Sequence, residues 1–196
     1  MTKAEVYKNI KYNENLVSQY KRTISSLQNR ISSLNFKINN LNSQISSSNT
    51  QKKQLQSQIN ELSRLKSKYK TLQDNFARRQ LNRINKLSLN FIGKANAFKF
   101  LSSYVSGMKS LLTGSEYKSA YNGLSSAIET INKKERTIQH EVDSIVQDIS
   151  NKQKSIASNQ SEIRKVQSRL NQTNSDLAYR KRRITYWRNQ LQYATN

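Results

Sequence analysis

From Val17 onward, apolar residues return at alternating steps of three and four: Val17, Tyr20, Ile24, Leu27, Ile31, Leu34, Ile38, Leu41 and Ile45. That spacing keeps them on one stripe of an α-helix. Val or Ile at one seam position and mostly Leu at the other is the pattern of a two-stranded coiled coil. The stripe passes through the polar positions Ser48 and Lys52 and resumes at Leu55, Ile59 and Leu62. It is then expected to shift phase at Leu65 and continue through Tyr69, Leu72 and Phe76, a change that rewinds a supercoil locally without ending the helix.

A second arm holds one heptad phase from Leu124 through Ile128, Ile131, Ile138, Val142, Ile145 and Ile149 to Ile156, Ile163, Val166, Leu170, Leu177, Ile184, Trp187 and Leu191. Glu135, Lys152, Asn159, Thr173 and Arg180 are its polar seam positions. Arms of roughly 80 residues would each be about 120 Å long at the rise of an α-helix, a rod rather than a globule. All four glycines, Gly93, Gly107, Gly114 and Gly123, fall between the arms, where a helix breaks most easily.

The expected fold is therefore all-α, a long antiparallel coiled-coil helical hairpin with a glycine-containing bend. Residues 1–89 form the first helix, 90–114 a bend region with a short helical segment, and 115–196 the second helix. In such a hairpin position i would face roughly position 204 minus i, with side chains meeting as knobs in holes. The polar gap at Ser48 and Lys52 then falls opposite Lys152 to Asn159, and Lys52 opposes Lys152, a like-charge pair that must snorkel to water. A parallel homodimer satisfies the same heptads and stays open at this point.

Composition narrows the functional classes. Only 34% of the 196 residues are hydrophobic, and proline is absent, enough apolar matter for a seam between helices but not for a thick core. With no cysteine there is no disulfide framework, thiolate metal site or cysteine nucleophile. His140 is the only histidine. Counted from Val142 it lies on the outer face of its helix, so the usual base and nucleophile pairs cannot be assembled. Helix charges in solvated or salt-bridging roles account for the acidic run Glu129, Glu135, Glu141, Asp143 and Asp148. There is no glycine-rich phosphate loop. An enzyme is not expected, nor a cofactor or a metal. No stretch has the continuous apolar length of a membrane span or of a signal-peptide core.

Charge points to anionic partners. Thirty-four Lys and Arg face 12 acids, for a net charge of +22, a field that attracts nucleic acid, an anionic surface or an acidic protein. Two basic patches stand out. One runs through Arg64, Lys66, Lys68, Lys70, Arg78, Arg79, Arg83 and Lys86, with Lys94 and Lys99 beyond and Asp74 its one acid. The other is "YRKRRITYWR", with Arg180, Lys181, Arg182, Arg183 and Arg188. Its aromatics could stack on bases while cations track phosphates; solvated helix faces account for the same runs.

Between the arms, "LLTGSEYKSAYNGL" carries a capping box, in which Thr113 caps a new helix and Glu116 reaches back to the Thr113 amide. The same stretch, with Leu112, Gly114 and Tyr117, resembles the Leu-x-Gly motif of the LXG and WXG proteins of Gram-positive type VII secretion. "FIGKANAF", with Phe91, Gly93 and Phe98, resembles their aromatic-x-Gly turn. In that family the motif marks the turn of a helical hairpin, and small members act as targeting partners for the helical domain of a toxin. The resemblance implies synthesis in the cytoplasm without a cleaved signal peptide, export by a non-classical type VII route, and a hetero- or homo-oligomer formed through coiled-coil packing. None of the ten tyrosines has an acid four residues later, so the family's Tyr-x-x-x-Asp/Glu export signal would come from a partner, as befits an accessory protein.

The leading expectation is a non-enzymatic partner of an acidic helical protein, the positive charge complementing it. A basic coiled coil that binds nucleic acid is the alternative, and a structural rod of a filament, virion or secretion apparatus the third.

Overall fold

The computed structural model describes the backbone of residues 1–95, 107 and 114–195, and the side chains of residues 1–86, 107 and 114–195. Two long helices dominate it, α1 (Lys3–Ala95) and α2 (Ser115–Gln190), followed by a 3-10 turn at Leu191–Tyr193. Among the described residues no strand forms; a single isolated bridge pairs Thr2 with Thr195. The chain folds back on itself as an all-α helical hairpin with two compact units, Met1–Ser48 with Gln147–Asn196, and Asn49–Val146.

In the first unit the seam begins earlier than Val17. Val6 is fully buried and Ile10 and Asn13 nearly so, in the same three-and-four rhythm that continues to Leu27 and Leu34. Val166 of α2 is buried in this unit. Asn13 is 3% exposed, and both ends of its amide are engaged. Nδ2 donates to the Asn9 carbonyl at 2.7 Å, and Oδ1 accepts from Arg180 Nη1 at 3.4 Å. A buried amide that is satisfied only at one offset penalises slipped pairings, the known use of a polar seam residue. Arg30–Glu162 at 3.5 Å and Arg188–Glu14 at 2.9 Å also bridge the two helices. Both pairs are well exposed, so each contributes at most about 1 kcal/mol.

The N-terminus is held by a capping box the sequence reading passed over. The Thr2 amide donates to Glu5 Oε2 at 2.8 Å and the Glu5 amide to Thr2 Oγ1 at 3.4 Å. Each satisfies a donor that the first helical turn leaves unpaired. The Thr2 amide, and after it the Thr2 hydroxyl, hold the Glu5 carboxyl below its usual range. The Lys3 amide donates to the Thr195 carbonyl at 3.0 Å, tying the extended residues after the 3-10 turn to the start of α1.

In the second unit Ile131, Ile138 and Val142 of α2 are buried, as their heptad phase requires. The facing stripe of α1 corrects the expected phase shift. The phase set by Ile59 and Leu62 runs on unchanged through Lys66, Tyr69, Gln73, Phe76 and Gln80, all half-buried, whereas Leu65 and Leu72 are 42% and 55% exposed. Backbone periodicity prevails because every Cβ of α2 in this unit already repeats in one heptad phase, and a shifted α1 would have no matching holes.

The register is corrected too. Ser63 meets Glu135 and Gln73 meets Ser125, while Thr2 pairs with Thr195. The facing positions lie about one heptad from the expected offset, a step that preserves every seam position. Lys152, expected to oppose Lys52, instead pairs with Asp148 one turn earlier in its own helix.

Gly123 lies inside α2, where an added Cβ would meet no atom within 4 Å. Gly123→Ala should therefore stabilise the chain by about 0.5–1 kcal/mol, read as a raised urea midpoint at unchanged slope.

Candidate interaction surfaces

Lys66 belongs to the seam rather than to the open basic face. Its Nζ lies 2.5 Å from Glu135 Oε2, and Ser63 Oγ donates to Glu135 Oε1 at 2.6 Å. The Glu135 side chain is only 15% exposed. Its bonds with Lys66 and then Ser63 hold its carboxyl below the usual range. Glu135 therefore titrates lower in the folded chain than in the unfolded one. The stability it adds is complete above the usual value of 4.5 and disappears as pH falls through the lowered folded value. The difference in stability between the native chain and Glu135→Gln should be constant from neutral pH to about 5 and shrink toward zero in more acidic solution. Urea melts along that pH series measure it.

The rest of the first basic patch faces solvent. Arg64, Lys68, Lys70, Arg78, Arg79, Arg83 and Lys86 are exposed and make no ion pair among the described residues. Charge in this unit is uneven: α1 residues 49–86 carry ten Lys and Arg against Glu61 and Asp74, while α2 residues 115–146 carry four against five acids. Within the unit, the positive field therefore comes from α1.

The second basic patch is more structural than its sequence suggests. Arg180 lies 6.0 Å from the Tyr12 ring centroid and 5.4 Å from that of Tyr179, in addition to its bond with Asn13. Arg183 lies 4.9 Å from the Tyr186 centroid and 5.0 Å from that of Trp187, and those two rings meet edge to face. Such cation–π contacts hold guanidinium groups in place at about 0.5–1 kcal/mol each on an exposed surface. Arg188 is paired with Glu14. Lys181 and Arg182 stand exposed.

Of the turn motif, Tyr117 is half-buried and stacks on Phe76, centroids 5.0 Å apart and rings 9° from parallel, and on Tyr121 at 6.2 Å. The Gly114 carbonyl accepts from the Lys118 amide at 3.2 Å, and Glu116 lies exposed in the first turn of α2. Phe91 and Gly93 lie within the α1 backbone, with side chains beyond the described set. Phe98, Leu112 and the capping residue Thr113 lie outside the described residues.

His140 is exposed. Among the described residues no group of three or more His, Cys, Asp or Glu is placed to hold a metal ion, and no helix is long and apolar enough to cross a membrane.

One surface is hidden in the hydrophobic pattern, which draws its leucines into the seam. Leu65 stands beside a groove of about 400 Å³ formed with Leu62 and Ile138 and edged by Gln58, Glu61 and Lys134. Extending the Ile59–Leu62 phase by strict heptads would have placed Leu65 and Leu72 outside the seam. The chain matches no family model, no curated protein sequence and no solved structure.

Proposed function

We propose that this chain is a non-enzymatic helical partner that binds an acidic helical protein, and that it serves as a targeting or accessory factor for a type VII secreted toxin. The observation that carries the binding role is the uneven surface of the second unit. There, exposed leucines adjoin seven exposed cations of α1 that have no ion-pair partner among the described residues. Desolvated leucines supply attraction at close range, and the cations speed and orient encounter with an anionic partner. The type VII assignment rests on the resemblance of "LTGSEYKSA" and "FIGKANAF" to the family's turn motif.

Purification from native cells at high salt, after nuclease treatment, tests both parts. A stoichiometric acidic helical protein should remain bound, and for the type VII assignment its sequence should carry a toxin domain. A chain that emerges alone contradicts the binding role, and an acidic partner without a toxin contradicts the secretion role only.

A second reading, a basic coiled coil that binds nucleic acid, is favoured by Arg180 and Arg183, whose guanidinium groups are held on aromatic rings with Lys181 and Arg182 beside them. It requires affinity for DNA or RNA that falls steeply with salt, with the slope reduced when Lys181 and Arg182 are neutralised.

A further inference from the structure

Two of the exposed leucines of the second unit, Leu65 and Leu72, are one heptad apart. On the side of the α1 seam where they lie, the flanking heptad positions are Gln58, Leu65, Leu72, Arg79 and Lys86. The hairpin does not use these leucines, because the neighbouring seam positions are taken by Lys66, bound to Glu135, and Gln73, bound to Ser125. Two leucines seven residues apart on one helix face form the row against which a further helix seats its own heptad row. The groove beside Leu65, with the buried Ile138 at its base, gives such a row a hole to enter.

Charge selects the occupant. Arg64 and Lys68 lie one residue before and three after Leu65, and Arg79 lies seven after Leu72. All three are exposed and make no ion pair among the described residues. Glu61 is the acid on this groove, with Lys134 across from it. A second copy of the chain would set the same cations against each other and bring together two molecules of +22, an arrangement that like-charge repulsion opposes. Nucleic acid would meet the cations but leave the leucines without a counterpart.

Granting the protein-binding role proposed above, we infer that the Leu65–Leu72 flank is its contact: an acidic amphipathic helix of a different protein lies along it. The partner's leucine or isoleucine row packs across Leu65 and Leu72, and its Asp and Glu meet Arg64, Lys68 and Arg79. Three helices then share this stretch of seam. This is helix-in-groove recognition, in which apolar anchors supply the attraction and rim charges the orientation.

The test uses the full chain and three labelled probes at near-physiological salt: an acidic peptide of about 28 residues with leucines at heptad spacing, a polyglutamate peptide of equal charge, and a single-stranded DNA oligonucleotide. Fluorescence anisotropy should show the leucine peptide binding at least about tenfold more tightly than polyglutamate, the equivalent of about 1.4 kcal/mol. Leu65→Gln/Leu72→Gln should abolish that difference while leaving polyglutamate binding unchanged. Both substitutions are at exposed positions, and circular dichroism confirms that the variant keeps its helix. Arg64→Gln/Lys68→Gln/Arg79→Gln should weaken both peptides and flatten their salt dependence. Leucine-peptide affinity that is indifferent to the double substitution would overturn the assignment, as would DNA binding more tightly than the leucine peptide.

Native-cell purification separates the two levels of failure. An acidic partner kept equally by the native chain and by the Leu65→Gln/Leu72→Gln variant refutes this contact while sustaining the binding role; no partner on either refutes both.

Discussion

Ile138→Asp should cost about 3–5 kcal/mol of folding stability, the largest effect expected of any single substitution in the second unit. Ile138 is 5% exposed and lies next in the heptad to the buried Val142. Aspartate there removes a branched apolar side chain from the seam and places a carboxylate at a position that is only 5% exposed. The group must then either stay charged without a partner or take up a proton, and each alternative costs free energy. Because the side chain would be neutral in acid, the defect should be smaller at low pH. Two controls bracket the result in urea melts followed by circular dichroism. Ile138→Val removes one methylene and should cost about 0.5–1.5 kcal/mol. His140→Asp, two residues on and exposed, should change stability by no more than about 0.5 kcal/mol.

The second large effect concerns Glu135. Glu135→Leu leaves Lys66 half-buried in the seam without its counter-charge and deprives Ser63 of its acceptor, a loss of about 1–3 kcal/mol. Adding Lys66→Leu to that variant should recover the loss and can exceed the stability of the native chain. A pair of charges held away from water gains little over well-packed leucines of similar size, whereas one stranded charge is expensive. The same double variant carries an expected loss of specificity. With Ser63, Lys66 and Glu135 no longer matched, the leucine-rich seam accepts neighbouring heptad registers more readily, and size-exclusion chromatography should show a larger share of oligomers than for the native chain.

The seam of α2 was readable from sequence almost residue by residue, because isoleucine, valine and leucine occupy a single phase from Leu124 to Leu191 and a helix can bury only one such stripe. In α1 the same reading failed in two places for one physical reason. Leu65 and Leu72 draw a stripe based on hydrophobic character toward themselves, yet the partner helix fixes the phase and accepts Lys66 and Gln73, each with a bonded partner across the seam. At the start of the chain, Asn13 concealed a seam that already runs from Val6. A polar residue at a seam position looks like an interruption until the arginine that satisfies it, 167 positions away, is placed beside it.

The candidate surface was legible only in part. The net positive charge and the run of cations after Arg64 are visible in composition, but their separation into a seam lysine and an exposed remainder needs the fold. Likewise, "YRKRRITYWR" reads as one basic patch, and only packing shows Arg180 and Arg183 on aromatic rings and Arg188 on Glu14. Register could not be set from the coincidence of polar gaps, since each arm has several and a slip of one heptad leaves every apolar position on the seam.

Leu65 and Leu72 are free for a partner only because one chain supplies both helices of the seam, in the register that sets Gln73 beside Ser125. The chain has no cysteine, so cysteines introduced at chosen positions report that pairing without interference. Gln73→Cys/Ser125→Cys, treated in dilute solution with a bismaleimide of about 10 Å reach, comparable to the spacing of packed helices, should cross-link rapidly within single chains. The product should run as a compact monomer on denaturing gels at every protein concentration. Cross-linked dimers whose yield rises with concentration, or faster cross-linking of Gln73→Cys with Ile131→Cys in the alternative register, would contradict the hairpin register and with it the free leucine flank.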